Sequence, residues 1–81
     1  MKYLVTYSTL LNTKEIQRFP KPDLKRIKKT IEDKLTTNPE AFGKPLRFSL
    51  KGHRSLRVGD YRIIFRIEND TVKILVISHK I

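Results

Sequence analysis

Residues 54–80 read RSLRVGDYRIIFRIENDTVKILVISHK, and this stretch decides the fold. Two dipeptides, Gly59-Asp60 and Asn69-Asp70, divide it into three runs rich in β-branched and aromatic residues. Both dipeptides tolerate the positive φ angles that two-residue hairpin turns require, so the stretch predicts three antiparallel strands. Counting outward from the turns predicts that Val58 faces Tyr61, Arg57 faces Arg62, Leu56 faces Ile63, Glu68 faces Thr71, Arg66 faces Lys73 and Arg62 faces Ile77.

The same count assigns each side chain to one of the two sheet faces, because side chains alternate along a strand. One face is predicted to be core and carries Leu56, Val58, Tyr61, Ile63, Phe65, Ile67, Val72, Ile74, Val76 and Ser78. The other face carries Ser55, Arg57, Arg62, Ile64, Arg66, Lys73, Leu75, Ile77 and His79. On this face Arg57 lies opposite Arg62, and Arg66 lies opposite Lys73. Like charges directly opposite each other destabilise a sheet. We therefore expect this second face to bind an anion.

The N-terminal part of the chain predicts a strand followed by a helix. Residues 2–8 are rich in β-branched and aromatic types and predict a strand. A helix is expected over about residues 12–19, with Asn12 as its cap. Ser8 or Thr9 could equally cap it, which would start the helix earlier.

A second helix is predicted to begin at Pro22, where the missing N–H costs nothing, and to end near Thr37 because Pro39 follows. Its apolar residues recur every three or four positions and form one stripe: Leu24, Ile27, Ile31 and Leu35. Residues 38–53 are expected to be irregular. The prediction is one α+β domain over residues 1–81, in the order β-α-α-β-β-β, with a helical hairpin packed on one face of a small antiparallel sheet.

The amino-acid composition limits the classes of binding partner, the kinds of metal site and the cellular compartment that are expected. The 81 residues include 18 Lys and Arg against eight Asp and Glu, a formal net charge of +10, which favours a polyanionic partner. The chain has no cysteine, so it has no disulfide or thiolate metal site, and His53 and His79 are too few for a zinc site. No segment resembles a secretory signal or a membrane span, and membrane-surface binding lacks support, so we expect a cytoplasmic protein.

Two motifs carry a family resemblance: LKGHRSLRVGDYRIIFRI at residues 50–67 and VKILVISHK at residues 72–80. With the order of elements, they resemble the RelE/ParE toxins of type II toxin–antitoxin systems, and the RelE-like branch more closely. The resemblance implies a short acidic antitoxin that keeps the toxin inert. It also implies that a RelE-like member enters the ribosomal A site and cuts mRNA without a metal or cofactor, whereas a ParE-like member inhibits DNA gyrase.

The resemblance and the residues together predict a catalytic group. Arg62 matches the arginine of the family's Asp-Tyr-Arg turn, and Lys80 stands where nucleases of the family often have arginine. Arg57, opposite Arg62, is expected to help stabilise the phosphorane, because guanidinium groups bind phosphate oxygens in a bidentate way. His79 is the first candidate for acid–base work, with Lys51, His53 and Lys80 as further candidates. The predicted RNA-binding residues are Lys51, His53, Arg54, Arg66, Lys73 and Arg47.

Two further features bear on function. The resemblance implies a C-terminal tyrosine that several nucleases of the family have, whereas the last residue here is Ile81. We therefore expect either that another group substitutes for it or that cleavage is weak, absent or lost. The apolar residues Ile64, Leu75 and Ile77 lie among the cations and are predicted to bind the antitoxin. Alternatively, residues 38–53 fold over them.

Overall fold

The computed structural model describes residues 2–46 and 52–79. Its elements are β1 (Leu4–Tyr7), α1 (Thr13–Ile16), α2 (Lys21–Thr30), α3 (Pro39–Phe42), β2 (Lys44–Pro45), β3 (His53–Val58), β4 (Tyr61–Glu68) and β5 (Thr71–His79). A π-helical turn over Ile31–Leu35 continues α2. The described strands form one sheet in the order β1-β5-β4-β3-β2, in which β1 runs parallel to β5 and all other neighbours are antiparallel.

The predicted α+β class is confirmed, and the structure adds two short elements to the predicted order. The prediction of an antiparallel sheet is wrong at one edge, because β1 pairs in parallel with β5 and the sheet is mixed. Residues 38–53 were expected to be irregular, but they contain α3, β2 and the first residue of β3. β2 pairs with β3 and becomes one edge of the sheet. The first helix is shorter than predicted and covers Thr13–Ile16 only.

Both predicted hairpin turns form where the dipeptides lie. The first residue of each turn has positive φ, +59° at Gly59 and +56° at Asn69, which glycine and asparagine adopt more readily than other residues. Five of the six predicted cross-strand pairs are confirmed by the register. The sixth is wrong, because Arg62 faces Ser78 and not Ile77.

A β-bulge in β5 causes this difference. Ile64 pairs with Val76 while the next residue, Phe65, pairs with Ile74, so Leu75 is an extra residue without a partner of its own. The bulge reverses the alternation of the four residues that follow it. Ile77 is consequently core, only 5% exposed, whereas Val76 lies on the other face and is 37% exposed.

The core lies between the helices and one face of the sheet. The α2 stripe supplies Ile27, and the π-helical turn supplies Ile31 and Leu35. Against these pack the buried sheet residues Leu56, Val58, Tyr61, Ile63, Phe65, Val72, Ile74 and Ile77. The helices therefore cover this face and leave the opposite one uncovered.

Asn12 joins α1 to the end of β5. It was predicted to cap α1, but its side chain makes no cap hydrogen bond. Instead, Asn12 Nδ2 donates to the Ile77 carbonyl at 2.7 Å, and the Ile77 N–H donates to Asn12 Oδ1 at 3.1 Å. Because β1 ends at Tyr7, the amide side chain takes the place of a neighbouring strand at this point of the sheet.

Candidate functional site

The sheet face away from the helices, which we name the open face, carries most of the predicted site. It consists of His53, Ser55 and Arg57 of β3, Arg62, Ile64, Arg66 and Glu68 of β4, and Lys73, Val76 and Ser78 of β5. Glu68 is the single acidic side chain among these ten residues.

The central feature of the open face is the pair of Arg57 and Arg62, which lie directly opposite each other beside the β3–β4 turn. Val58 and Tyr61 close the two-residue turn as a hydrogen-bonded pair, so the arginine pair is of the non-hydrogen-bonded kind, with Cα atoms roughly 4.5 Å apart. Arg57 is exposed, and its Nε donates to the Gly59 carbonyl at 3.3 Å. Arg62 is half-buried.

A cleft of about 360 Å³ adjoins this pair. It is lined by Phe42, Lys44, Ser55, Leu56, Arg57 and Arg62, so it lies where the short β2 leaves the edge of β3. Small-ligand pockets occupy about 300–1,000 Å³, so the cleft is large enough for one nucleotide unit. A larger groove of about 610 Å³ lies along α2 and includes no residue of the open face.

A second cationic group lies further from the β3–β4 turn and centres on Arg66. Arg66 faces His53 on one side and Lys73 on the other. Its Nη2 forms an ion pair with Glu68 at 2.7 Å, which partly neutralises the group. Its Nε is buried and has no hydrogen-bond partner among the described residues. The structure thus places Arg66 and Lys73 on the same face as the arginine pair, as predicted, and adds His53, which was expected in an irregular segment.

The structure does not bring His79 together with Arg62, and the predicted placement of His79 on that face is wrong. The bulge turns His79 to the helix-covered side, where its ring lies 4.9 Å from the ring of Tyr61. Tyr61 in turn contacts Phe19 and donates a 2.6 Å hydrogen bond from its hydroxyl to Asp23. This bond to a carboxylate, with burial, raises the pKa of Tyr61 to about 12, so the phenol keeps its proton in alkaline solution in which an ordinary tyrosine ionises.

Arg54 also lies on the helix-covered side, because it alternates with Ser55 along β3. Its Nη1 donates to the Gly43 carbonyl at 3.1 Å, which fixes the end of α3 to the sheet. Three predicted site residues, Arg47, Lys51 and Lys80, lie outside the described residues.

The predicted apolar patch is altered by the bulge. Ile64 lies on the open face and Leu75 forms the bulge, but Ile77 is a core residue, so its predicted placement is wrong. Val76 takes its place opposite Ile64. In the segment expected as an alternative cover, Lys44 and Pro45 pair along the edge of β3 and so lie beside Ser55 and Arg54, not over Ile64. Residues 47–51 of that segment lie outside the described residues.

Ser78 is a residue of the site that the sequence prediction missed, because the bulge that moves Ile77 and His79 off the predicted face also moves Val76 and Ser78 out of the predicted core. Strict alternation put it in the core, whereas it lies on the open face directly opposite Arg62. Four consecutive apolar residues, 74–77, precede it. In such a run polar and apolar residues do not alternate, so the sequence does not show which residues face the core. The run permits a bulge but does not locate it.

The described residues hold neither a metal-binding cluster nor a membrane-spanning helix. Residues 2–46 and 52–79 contain no group of three or more His, Asp or Glu side chains arranged to hold a metal ion. Within the same residues, no helix has the length and apolar character needed to cross a membrane.

Comparisons with known proteins agree on one family. A model described as the ParE toxin of type II toxin–antitoxin systems, parDE, matches residues 11–80. Toxin RelG of Mycobacterium tuberculosis is 33% identical over 99% of this chain and 93% of RelG. Toxin RelE of the same organism is 34% identical over 75% of this chain, a match that spans only 63% of RelE. The toxin–antitoxin complex RelBE2 of M. tuberculosis contains a chain that is 32% identical, with a TM-score of 0.87, over 99% of this chain and 93% of that chain.

Proposed function

The chain belongs to the ParE toxin family of type II toxin–antitoxin systems, and on that basis we propose that it is a ribosome-dependent mRNA endoribonuclease of the cytoplasm. The observation that carries the proposal is the pair of Arg57 and Arg62 on the open face, beside a cleft large enough for a nucleotide. The identity of 34% to a protein named RelE and of 33% to a protein named RelG supports the RelE-like activity.

Cleavage without a metal uses the RNA's own ribose. The 2′-oxygen loses its proton to a base and attacks the adjacent phosphorus, the bond to the 5′-oxygen breaks, and an acid protonates that oxygen. The products are a 2′,3′-cyclic phosphate and a free 5′-hydroxyl. Extra negative charge accumulates on the phosphorane oxygens, and preorganised donors aimed at them lower the barrier.

Arg62 and Arg57 supply those donors. Two guanidinium groups held side by side by the strand register offer planar donor pairs to the non-bridging oxygens. Ser78, opposite Arg62, adds a hydroxyl on the same face. The repulsion between the arginines in the free protein is relieved when an anion binds, which favours binding of the most highly charged species, the transition state.

The acid and the base are assigned to the remaining cations. His79 is on the other side of the sheet and is not one of them. His53 is on the open face, but it lies four residues along β3 from Arg57, about 13 Å away, which places it beside Arg66 and out of reach of a phosphate held by the arginine pair. Lys51 and Lys80 are the remaining candidates predicted for proton transfer. We propose that Arg66 and Lys73 bind RNA phosphates beyond the reacting one.

The proposed partner in the resting state is a short acidic antitoxin that covers the open face. Ile64 and Val76 provide the apolar contact, and the cations around them attract its acidic residues. The M. tuberculosis RelBE2 structure is described as a toxin–antitoxin complex, which supports such a partner here. The test uses the acidic product of the neighbouring reading frame: Val76→Arg should weaken its binding at least tenfold. Leu10→Arg, at an 88% exposed position outside the open face, should leave binding unchanged.

The nuclease proposal is tested with ribosomes programmed with a defined message. Primer extension should map new 5′ ends with the wild-type chain, and Arg62→Ala should slow cleavage by about 100- to 1,000-fold, as expected for loss of one transition-state donor. Arg62→Lys, which keeps the charge but loses the planar donor pair, should recover only part of the rate. Arg18→Ala, an exposed arginine outside the open face, is the matched control and should cleave normally. Undiminished cleavage by Arg62→Ala would refute the assignment.

A second candidate function is inhibition of DNA gyrase, which the name of the matching family model favours. It predicts inhibited supercoiling and trapped gyrase–DNA adducts, with messages left intact on the ribosome. An attenuated toxin that only binds its antitoxin would show neither effect.

A further inference from the structure

Phe42 is an aromatic side chain that the core does not use. It is the last residue of α3, and its side chain is 44% exposed. By contrast, the core residues Leu35 and Phe65 are completely buried. The Phe42 ring lines the same cleft as Arg57 and Arg62. An exposed aromatic ring next to paired guanidinium groups is an arrangement that suits single-stranded nucleic acid, in which bases and phosphates alternate.

The backbone next to Phe42 is held firmly against the sheet. Gly43 lies so close to the buried Phe65 ring that a Cβ atom at this position would collide with Cζ and Cε1 of that ring. Arg54 donates to the Gly43 carbonyl, and Lys44 pairs with Ser55. The contacts of Gly43 and Lys44 therefore fix the backbone that follows Phe42 relative to β3.

One contact to the Phe42 ring is already made within the chain. Lys34 Nζ lies over the ring, 5.2 Å from its centroid. A cation over one face of an aromatic ring is attracted to the electron-rich π system and limits rotation of the side chain. Because Phe42 is 44% exposed, part of its side chain remains accessible beside this contact.

We propose that Phe42 stacks on a nucleobase of the RNA whose phosphate is bound by Arg57 and Arg62. This inference rests on the proposed ribonuclease function and adds to it a base-binding position. Lys44, at the same cleft, meets the phosphate on the other side of that base. Because every base has a π face, the contact positions the strand with little preference for sequence.

A purely structural role for Phe42 predicts a different result. If the ring only shielded the core, its truncation would lower stability and would weaken binding of every ligand equally. If the ring stacks on a base, its truncation affects only ligands that carry a base.

The experiment measures, by fluorescence anisotropy, binding of the purified chain to a short oligouridylate and to an abasic ribose-phosphate chain of the same length. Phe42→Leu should weaken oligouridylate binding about five- to 150-fold and leave abasic binding unchanged. Phe42→Trp should keep the wild-type affinity for oligouridylate, which would show that an aromatic ring, and not phenylalanine in particular, is required. Tyr7→Leu, a half-exposed tyrosine on the helix-covered side, is the matched control and should bind both chains normally.

Three results would overturn the inference: wild-type binding that does not distinguish the two chains, Phe42→Leu that binds both as wild type does, or equal losses for both chains. Message cleavage on ribosomes is measured separately with the same preparations. Wild-type protein that binds the base-containing chain more tightly but cuts no message would refute the proposed nuclease and still support the base contact of Phe42.

Discussion

The opposed arginines predict that the free protein becomes more stable when one of them is neutralised. Arg62→Gln removes a like-charge pair whose cost on a sheet is about 0.2–1 kcal/mol. A Coulomb estimate agrees, because two unit charges 4 Å apart in water repel by about 1 kcal/mol and more distant guanidinium groups by less. For a domain of this size the gain corresponds to a rise in Tm of about 1–8 °C.

The assay is unfolding in urea, because guanidinium chloride would screen the interaction. Removing any cation from a chain of net charge +10 reduces general repulsion, so Arg18→Gln serves as the control for that effect. A double-mutant cycle with Arg57→Gln then isolates the pair. The unfavourable coupling should be about 0.2–1 kcal/mol in low salt and should vanish in 1 M NaCl, where the Debye length is about 3 Å.

A favourable coupling, or one that persists in 1 M NaCl, would refute the reasoning. Either result would mean that the two guanidinium groups do not repel across the strands. The same variants should lose activity on ribosomes while they gain stability, since a binding site often retains interactions that are unfavourable in its free state.

Three further predictions concern the elements that position the site. Asn12→Ala should lower the free energy of unfolding by about 2–4 kcal/mol, because it leaves the part-buried N–H and C=O of Ile77 without partners. A loss below about 0.5 kcal/mol in urea unfolding would contradict this. Ile77→Ala should cost about 2–5 kcal/mol and Val76→Ala about 1 kcal/mol or less in the same assay, and the reverse order would mean that the bulge is absent. Near-ultraviolet titration should show one tyrosine ionisation step near pH 12, and this step should be absent in Tyr61→Phe. In the unfolded chain the same phenol ionises near pH 10, so the wild type should lose stability relative to Tyr61→Phe as the pH rises from about 10 to 12. Parallel curves of stability against pH for the two proteins would contradict the hydrogen bond to Asp23.

The hairpins could be predicted from the sequence because local chemistry specifies them. Gly59 and Asn69 stand where positive φ is needed, and the register of each hairpin follows from its turn. The opposed pairs of Arg57 with Arg62 and of Arg66 with Lys73 are consequences of that register. The same stretch also carried the family resemblance, which the comparisons confirm.

The end of β5 could not be predicted by alternation, because its register depends on a bulge within an all-apolar run. Each of residues 74–77 could occupy a core position, so their hydrophobicity does not show which one is extra. The error assigned Ile77 and His79 to the open face, and Val76 and Ser78 to the core, when the structure has the reverse.

The short elements beside β3 were missed for a different reason. α3 has four residues and β2 has two, which is too short for either a helical or a strand period to appear. Their positions depend on long-range contacts, such as the approach of Gly43 to Phe65, and no local pattern records these. The cleft lined by Phe42 could therefore be found only in the folded chain.

The most direct test of the arginine pair as an RNA-cleaving site is expression of the wild type and of Arg62→Ala in cells, with mRNA 5′ ends and gyrase–DNA adducts measured in the same cultures. We predict that the wild type stops growth and produces new 5′ ends within translated messages, that Arg62→Ala produces neither effect, and that no gyrase adducts form. Growth arrest with intact messages and abundant gyrase adducts, or undiminished message cleavage by Arg62→Ala, would contradict the proposed function.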